Sequence, residues 1–447
     1  MTPNSSRPSG AMRAKPAPAL TGTLKAPGDK SISHRAFILG ALADGVTEVT
    51  GLLESDDVIN SGRAASALGA GVEHRAPGRW RITGTGGRFH TPADPLDFGN
   101  AGTGVRLMMG AVAGSGASAD FIGDASLSSR PMRRVTDPLG EMGAVFTTTD
   151  GRLPAHLEGG PLTGIHYTPP IASAQVKSAI LLAALGAQGT TVVHEPQITR
   201  DHTETMLKAF GVAIEVERDG AAATVRLTGP QTLTACPVDV PGDPSSSAFA
   251  IVAALIVPGS DLTLEGVMDN PARTGLIETL QEMGADITLT PGPVMAGEKT
   301  MHLRVRHSQL TGITVPAERA ASMIDEYPVL CVAAAYATGI THMPGLEELR
   351  AKESDRLAGS AALLRANGVP VEEGEDSLTV TGLGIGGVPG GGETLTHHDH
   401  RLAMSGLVIG LGANTASSVD DVAMIATSYP DFFAHFATLG ATLEAIT

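Results

Sequence analysis

Cysteine is nearly absent: Cys236 and Cys331 are the only two in 447 residues, far apart and in apolar surroundings. That excludes a disulfide framework and any paired-cysteine metal site, fits a reducing, cytoplasmic setting, and reads both thiols as buried and inert. Aromatic residues make up 3% of the chain, with a single tryptophan, too few for a surface that stacks nucleic-acid bases. Positive charge is scarce as well: 31 Lys and Arg against 47 Asp and Glu give a net charge of −16, which argues against a nucleic-acid or anionic-membrane partner. A phosphorylated substrate would therefore have to be met by cations concentrated locally. No uninterrupted run of about 18 apolar residues occurs, so no membrane span is expected. The first 20 residues, MTPNSSRPSGAMRAKPAPAL, are rich in Pro, Ser and Ala and lack the apolar core of a secretory signal; they predict a short disordered tail over 1–20.

What is present is length and repetition. The chain exceeds the roughly 250 to 300 residues at which one hydrophobic core stops growing, so two domains are expected. A helical stretch ending in apolar-Gly-(Ala/Val) and running into alternating residues occurs six times, in SALGAGVEH, LGEMGAVFT, LKAFGVAIEV, LQEMGADITL, LRANGVPVEE and FATLGATLEA. The glycines are Gly69, Gly143, Gly211, Gly284, Gly368 and Gly440, 68 to 84 residues apart. A helix stopped by Gly that gives way to a period-2 strand is the expected reading of each. Longer apolar helices lie between them, as in HRAFILGALADG, QVKSAILLAALGAQG, AFAIVAALIVPG and YPVLCVAAAYATG. Six strand–helix–strand–helix units of about 70 residues, each too small for a domain, divide three and three.

The division is marked by a turn written twice. PGDKSISHRA begins at Pro27 and PGDPSSSAFA at Pro241, and Lys30, His34 and Arg35 of the first are replaced by Pro244, Ala248 and Phe249 in the second. Pro and Gly there suit chain crossings between domains. This predicts a domain over 28–241, a second over 21–27 plus 242–447, and hinges near 27–30 and 241–244.

Only the first copy is charged. Lys30, Ser31 and Arg35 sit at a helix start, where free N–H groups and the helix dipole already favour an anion, and Ser31 and Arg35 share a face. DFGNAGTGVRLMMG opens another apolar helix with Gly102 and Gly104 around Thr103 and with Arg106 in its first turns. Arg130 precedes a proline and is expected in extended chain. Ser173, Ala174 and Gln175 open a further helix, and Arg200 falls just before another. In the C-terminal half, Asp325 and Glu326 stand at the mouth of an almost wholly apolar helix, as simple caps or beside a cleft. Lys352, Glu353 and Arg356 lie within five residues, with Lys352 and Arg356 expected on one helix face and Glu353 placed for proton transfer. Three histidines surround Asp399, but no HExxH spacing exists and Arg401 would oppose a metal; His400 and Arg401 suit an anion better.

PGDKSISHR, DFGNAGTGVRL, SAQVKSA, RAKESDRL and DHRLAM, in this order, resemble the 5-enolpyruvylshikimate-3-phosphate synthases, in their bacterial class II form, from about residue 20 onward. The resemblance implies an α/β (α+β) fold, a two-domain inside-out α/β barrel of six βαβαββ units, three per domain, joined by a double-strand hinge and closing over substrates. It implies transfer of the enolpyruvyl group of phosphoenolpyruvate to the 5-hydroxyl of shikimate 3-phosphate, on the route to aromatic amino acids, without metal or organic cofactor, in a cytoplasmic monomer inhibited by glyphosate. By resemblance Lys30, Ser31, Arg35, Ser173, Ala174, Gln175, Arg200, Asp325 and Lys352 meet shikimate 3-phosphate. Lys30, Asn100, Gly102, Thr103, Arg130, Gln175, Arg356, His400 and Arg401 meet phosphoenolpyruvate. Asp325 is implied as base for the hydroxyl, and Glu353, with Lys30 nearby, as a candidate for moving the proton on and off the methylene carbon. The uncharged second turn need only bend. Thr427 stands where the class I enzymes carry a Lys, and Gly102 where some class II members carry Ala, whose methyl would crowd out glyphosate. Two rivals remain: a UDP-N-acetylglucosamine enolpyruvyl transferase, which lacks its loop cysteine here, and a non-catalytic phosphometabolite-binding protein, expected to have lost Asp325 or Glu353.

Overall fold

The computed structural model describes residues 8–446, and they divide into two units. The first is Gly28–Pro241 with Val294–Glu298; the second takes the described residues through Pro27, then Gly242–Pro293 and Lys299 onward. Each is built around three helices that are apolar on every side, and such helices are stable only when wholly surrounded by protein. In the first unit they are Lys30–Leu42, Gly102–Ser115 and Ala174–Ala184, in the second Pro244–Ile256, Tyr327–Ala335 and His400–Gly412. All residues of Pro244–Ile256 and Tyr327–Ala335 are buried. Glycine inside Gly102–Ser115 is a packing device: a methyl on Gly110 would lie 2.2 Å from Ala179 O of the neighbouring helix.

Three sheets surround the helices in each unit. Five follow one plan, shown by His166–Tyr167, Gly189–Glu195, Ala222–Gly229 and Ile214–Asp219: an edge strand parallel to its neighbour, then two antiparallel pairings. The sixth has Thr338–Met343, Leu378–Leu383 and Val371–Glu373, and parallel bridges from Thr311 and Thr314 hold the place of the edge strand. The expected sixfold α/β repeat is therefore present.

Each outer helix ends as its glycine predicts. Gly69, Gly143, Gly211, Gly284, Gly368 and Gly440 all have φ between +78° and +107°. In every case the glycine N–H bonds three residues back and the next N–H five back, from Gly69 to Ser66 and Ala70 to Ala65 through to Gly440 to Ala437 and Ala441 to Phe436. These paired bonds satisfy the last carbonyls of the helix, which only a left-handed residue allows.

Two strands arrive from far along the chain. Val238–Asp239 completes the sheet of Val46–Thr50, and Thr21–Lys25 that of Asp261–Met268, both in parallel register. The tail expected over 1–20 is corrected for residues 8–20; residues 1–7 lie outside the described residues. Met12–Ala14 is one of the two inner strands of the last sheet, with Ser417–Val419 on one side and Leu443–Ala445 on the other, and Ala14 and Leu20 are fully buried. Alternation in MRA buries Met12 and Ala14 and turns Arg13 outward to Glu444, a pattern too short to register against the proline-rich composition. Cys331 is buried and its thiol is pushed up to about 12 by burial, whereas Cys236, expected buried, is only half-buried. Among the described residues no helix is long and apolar enough to cross a membrane.

Candidate active site

In the first unit the polar groups gather at the starts of the three buried helices. Asp29 caps Lys30–Leu42, accepting from Ile32 N at 2.7 Å. The next turns place Lys30 Nζ 2.5 Å from Asp57 Oδ2 and bury Arg35 to 3% exposure. Arg35 donates to Thr203 Oγ1 (2.7 Å), Ser178 Oγ (2.9 Å) and Ser31 O (3.0 Å), all neutral acceptors. Burial lowers its pKa to about 10, with Asp29 and Glu204 acting in the opposite sense. A guanidinium held by neutral groups in a dry setting is poised for an anion. His34 is neutral at physiological pH, since burial and then Lys30 and Arg35 push it well below its ordinary value.

The second and third helix starts are laced together. Gln175 Nε2 donates to Thr103 Oγ1 at 2.9 Å and Gln175 Oε1 accepts from Arg106 Nη1 at 2.8 Å. Arg106 also reaches Gly102 O and Pro131 O, so its guanidinium is spent on protein acceptors. Arg130 is in extended chain, as expected before proline, and donates to Asn100 Oδ1 at 2.8 Å. Ser173 caps Ala174–Ala184, and Arg200 precedes His202–Ala209. Behind them Lys177, 1% exposed, bridges Glu195 (2.8 Å) and Glu204 (2.6 Å).

In the second unit four carboxylates surround two guanidinium groups. Arg356, 1% exposed, donates to Asp325 Oδ1 at 3.1 Å and Asp399 Oδ2 at 2.7 Å and forms an ion pair with Glu353 Oε2 at 2.5 Å. Burial works against its charge, but Asp399, Glu353 and Asp325 outweigh burial and raise its pKa. Burial likewise opposes ionisation of Asp399, yet Arg356 and His400 hold it below the usual carboxylate value. Asp399 caps His400–Gly412 through Arg401 N at 2.9 Å. Arg401 Nη1 donates to Asp325 O at 3.0 Å and lies 3.7 Å from Glu326 Oε1. Lys352 pairs with Glu348 at 2.9 Å.

Two local expectations are revised. Lys352 and Arg356 do not share a helix face: Asp355 accepts from Ala358 N at 3.0 Å and starts the helix at Arg356, leaving Lys352 and Glu353 in the preceding loop. Asp325 and Glu326 do not act as side-chain caps. Thr427 presents no cation; its hydroxyl donates to Met424 O at 2.7 Å. Asp57, Ser178, Thr203 and Asp399 escaped the sequence reading as partners of these cations, because no motif joins them to Lys30, Arg35 or Arg356; only the capping position of Asp399 before His400 was a signal.

Buried helices that open on guanidinium groups and carboxylates, repeated over two units of three α/β modules, define an enzyme for small anionic metabolites. The comparisons specify which. The family described as EPSP synthase (3-phosphoshikimate 1-carboxyvinyltransferase) matches residues 14–436, and the chain belongs to it. It is 86% identical over 447 residues to a 3-phosphoshikimate 1-carboxyvinyltransferase of Maricaulis maris, covering 100% of both chains. It is 56% identical to the enzyme of that name from Rhizobium johnstonii, covering 97% of each. The solved EPSP synthase of Acinetobacter baumannii superposes with a TM-score of 0.88 at 40% identity, covering 98% of this chain and 100% of that one.

Proposed function

We propose that this chain transfers the enolpyruvyl group of phosphoenolpyruvate to the 5-hydroxyl of shikimate 3-phosphate, releasing phosphate. The observation that carries the reading is the family match over residues 14–436, together with the retention of Asp325 and Glu353 on the buried cation Arg356. The same match favours shikimate 3-phosphate over a nucleotide sugar as acceptor.

Two phosphates and a carboxylate repel one another, so bringing them together needs fixed cations. Lys30, Arg35 and Arg200, with Ser31, Ser173, Ala174, Gln175 and Lys352, bind shikimate 3-phosphate in this reading. Lys30, Arg130, Arg356 and Arg401, with Asn100, Gly102, Thr103, Gln175 and His400, take phosphoenolpyruvate. Asp325 removes the 5-hydroxyl proton as that oxygen bonds to C2 of phosphoenolpyruvate, while C3 gains a proton from Glu353 or Lys30. The tetrahedral intermediate then returns a proton from C3 to that same group. The C–H electron pair forms the C2–C3 double bond as the C2–O bond to phosphate breaks, and the vinyl ether and phosphate are released. Arg356, hydrogen-bonded to Asp325 and ion-paired with Glu353, holds both acid–base groups beside one charge. Glyphosate inhibition, a monomeric state and a cytoplasmic location belong to the same proposal.

The test is phosphate release on mixing the protein with both substrates, against omission of each, substitution of UDP-N-acetylglucosamine, and Asp325→Ala. Release that needs both substrates and collapses in the variant supports the reading. Release only with the nucleotide sugar, or none with either acceptor, overturns it.

A further inference from the structure

The second turn, PGDPSSS, carries no charge but Asp243, yet a buried chain of polar contacts in the second unit ends on it. Where the first turn brings its own cations, this one receives Arg273, 3% exposed, which donates to Asp243 Oδ1 at 2.8 Å and Ser245 Oγ at 3.0 Å. Ser245 Oγ donates in turn to Glu326 Oε1, the oxygen that stands 3.7 Å from Arg401 Nη1. Glu326 is 2% exposed. Its other oxygen and Arg401 Nε are both buried, and neither finds a hydrogen-bond partner among the described residues. One acceptor and one donor are thus left over on the two side chains of a single loose pair. A buried carboxylate with half its bonding capacity empty is destabilising, and packing alone gives no reason to keep it. Holding Arg401 does: that guanidinium is fixed by Glu326 on one side and by the main-chain oxygen of Asp325 on the other.

We infer that Glu326 is a positioning residue, braced by Ser245 and Arg273 against the second turn, that sets the Arg401 guanidinium for an anionic group of phosphoenolpyruvate. The inference rests on the assignment of Arg401 proposed above. The second turn is then a foundation for the catalytic side of its unit as well as a bend.

Glu326→Gln keeps an acceptor for Ser245 and removes the charge facing Arg401. Phosphate release with each substrate varied in turn is expected to show KM for phosphoenolpyruvate raised about tenfold, within the range of one charge-assisted hydrogen bond. KM for shikimate 3-phosphate and the Tm stay close to those of the unmodified protein. Ser245→Ala raises the same KM by less, and the double variant matches Glu326→Gln alone, because the two act through one path. Parallel rises in both KM values with a falling Tm, no change in either, or independent effects of the two substitutions would each overturn the inference. If Glu326→Gln does not fold, Ser245→Ala, which removes one hydroxyl, carries the test. The unmodified protein separates the two claims. If it makes no phosphate from the two substrates, the proposed reaction and this role fall together; if it does and the variants match it, only the role of Glu326 falls.

Discussion

Replacing Arg356 with methionine removes a cation that three carboxylates share. Its guanidinium is 1% exposed and reaches Asp325, Glu353 and Asp399 at 3.1, 2.5 and 2.7 Å. Methionine fills similar volume, so the loss is electrostatic. Asp325 and Glu353 keep 17% and 28% of their side-chain surface in solvent and are partly screened, but Asp399 has none. Breaking a buried pair from one side costs about 3–5 kcal/mol, which for a unit of this size lowers the Tm by about 10 °C. The pH dependence identifies the cause. In the unmodified protein Asp399 has a depressed pKa, so its contribution is intact above the ordinary carboxylate value of about 3.9 and is lost only as pH falls through the depressed one. Without Arg356, burial is the largest remaining influence and lifts the folded-state pKa above the unfolded one. Relative to the unmodified protein, the variant should then gain stability on acidification from about pH 8 to 5. Asp399 does not titrate there in the unmodified protein, and the stability lost as buried His34 resists protonation is common to both. Thermal melts across that range read this directly, and Arg356→Met combined with Asp399→Asn should recover part of the loss. Equal melting curves with equal pH slopes would refute the assignment of Arg356 as the counter-charge of a buried Asp399.

Other outcomes follow from single positions. A methyl on Gly102 would sit 3.1 Å from Arg130 Nη1 and 3.2 Å from Arg106 Nη1; because both are ends of flexible side chains, Gly102→Ala should cost under about 1 kcal/mol in melts. The shifted Arg130 should raise KM for phosphoenolpyruvate a few-fold and the glyphosate inhibition constant by more, and equal inhibition constants would count against steric exclusion. His398 is an exposed residue with φ +58°, so His398→Gly should stabilise by about 0.5–1 kcal/mol in chemical denaturation. Deleting residues 8–15 removes an inner strand of the last sheet and should lower the Tm measurably; a melt unchanged by the deletion would mean that the strand contributes nothing.

The repeat was legible because its marks are local. A left-handed glycine after an apolar helix needs no distant partner to be recognised, and all six read that way have the backbone it requires. Helices apolar on every side announced that they would be enclosed, and charge at their starts announced a ligand-facing end. What stayed hidden depends on residues far apart. Met12–Ala14 is three residues long and bonds to residues 417–419 and 443–445, so no window around it carries the signal. The loop before Arg356 looked helical until Asp355 was seen to cap. Arg273 meets Asp243 and Ser245 through tertiary packing alone, and nothing in PGDPSSS foretells an arginine 30 positions on.

The position of Met12–Ala14 also bears on how the protein is made. Synthesis proceeds from the N-terminal side at about 5–20 residues per second, so this strand leaves the ribosome tens of seconds before Leu443–Ala445, its neighbour. Nearly all of the first unit lies between, in the unbroken stretch Gly28–Pro241, and can mature while the early strand waits unpaired. The second unit therefore closes last, from both ends of the message at once, and a pause in translation after residue 241 would leave the first unit complete but for Val294–Glu298, with a tethered strand awaiting its sheet.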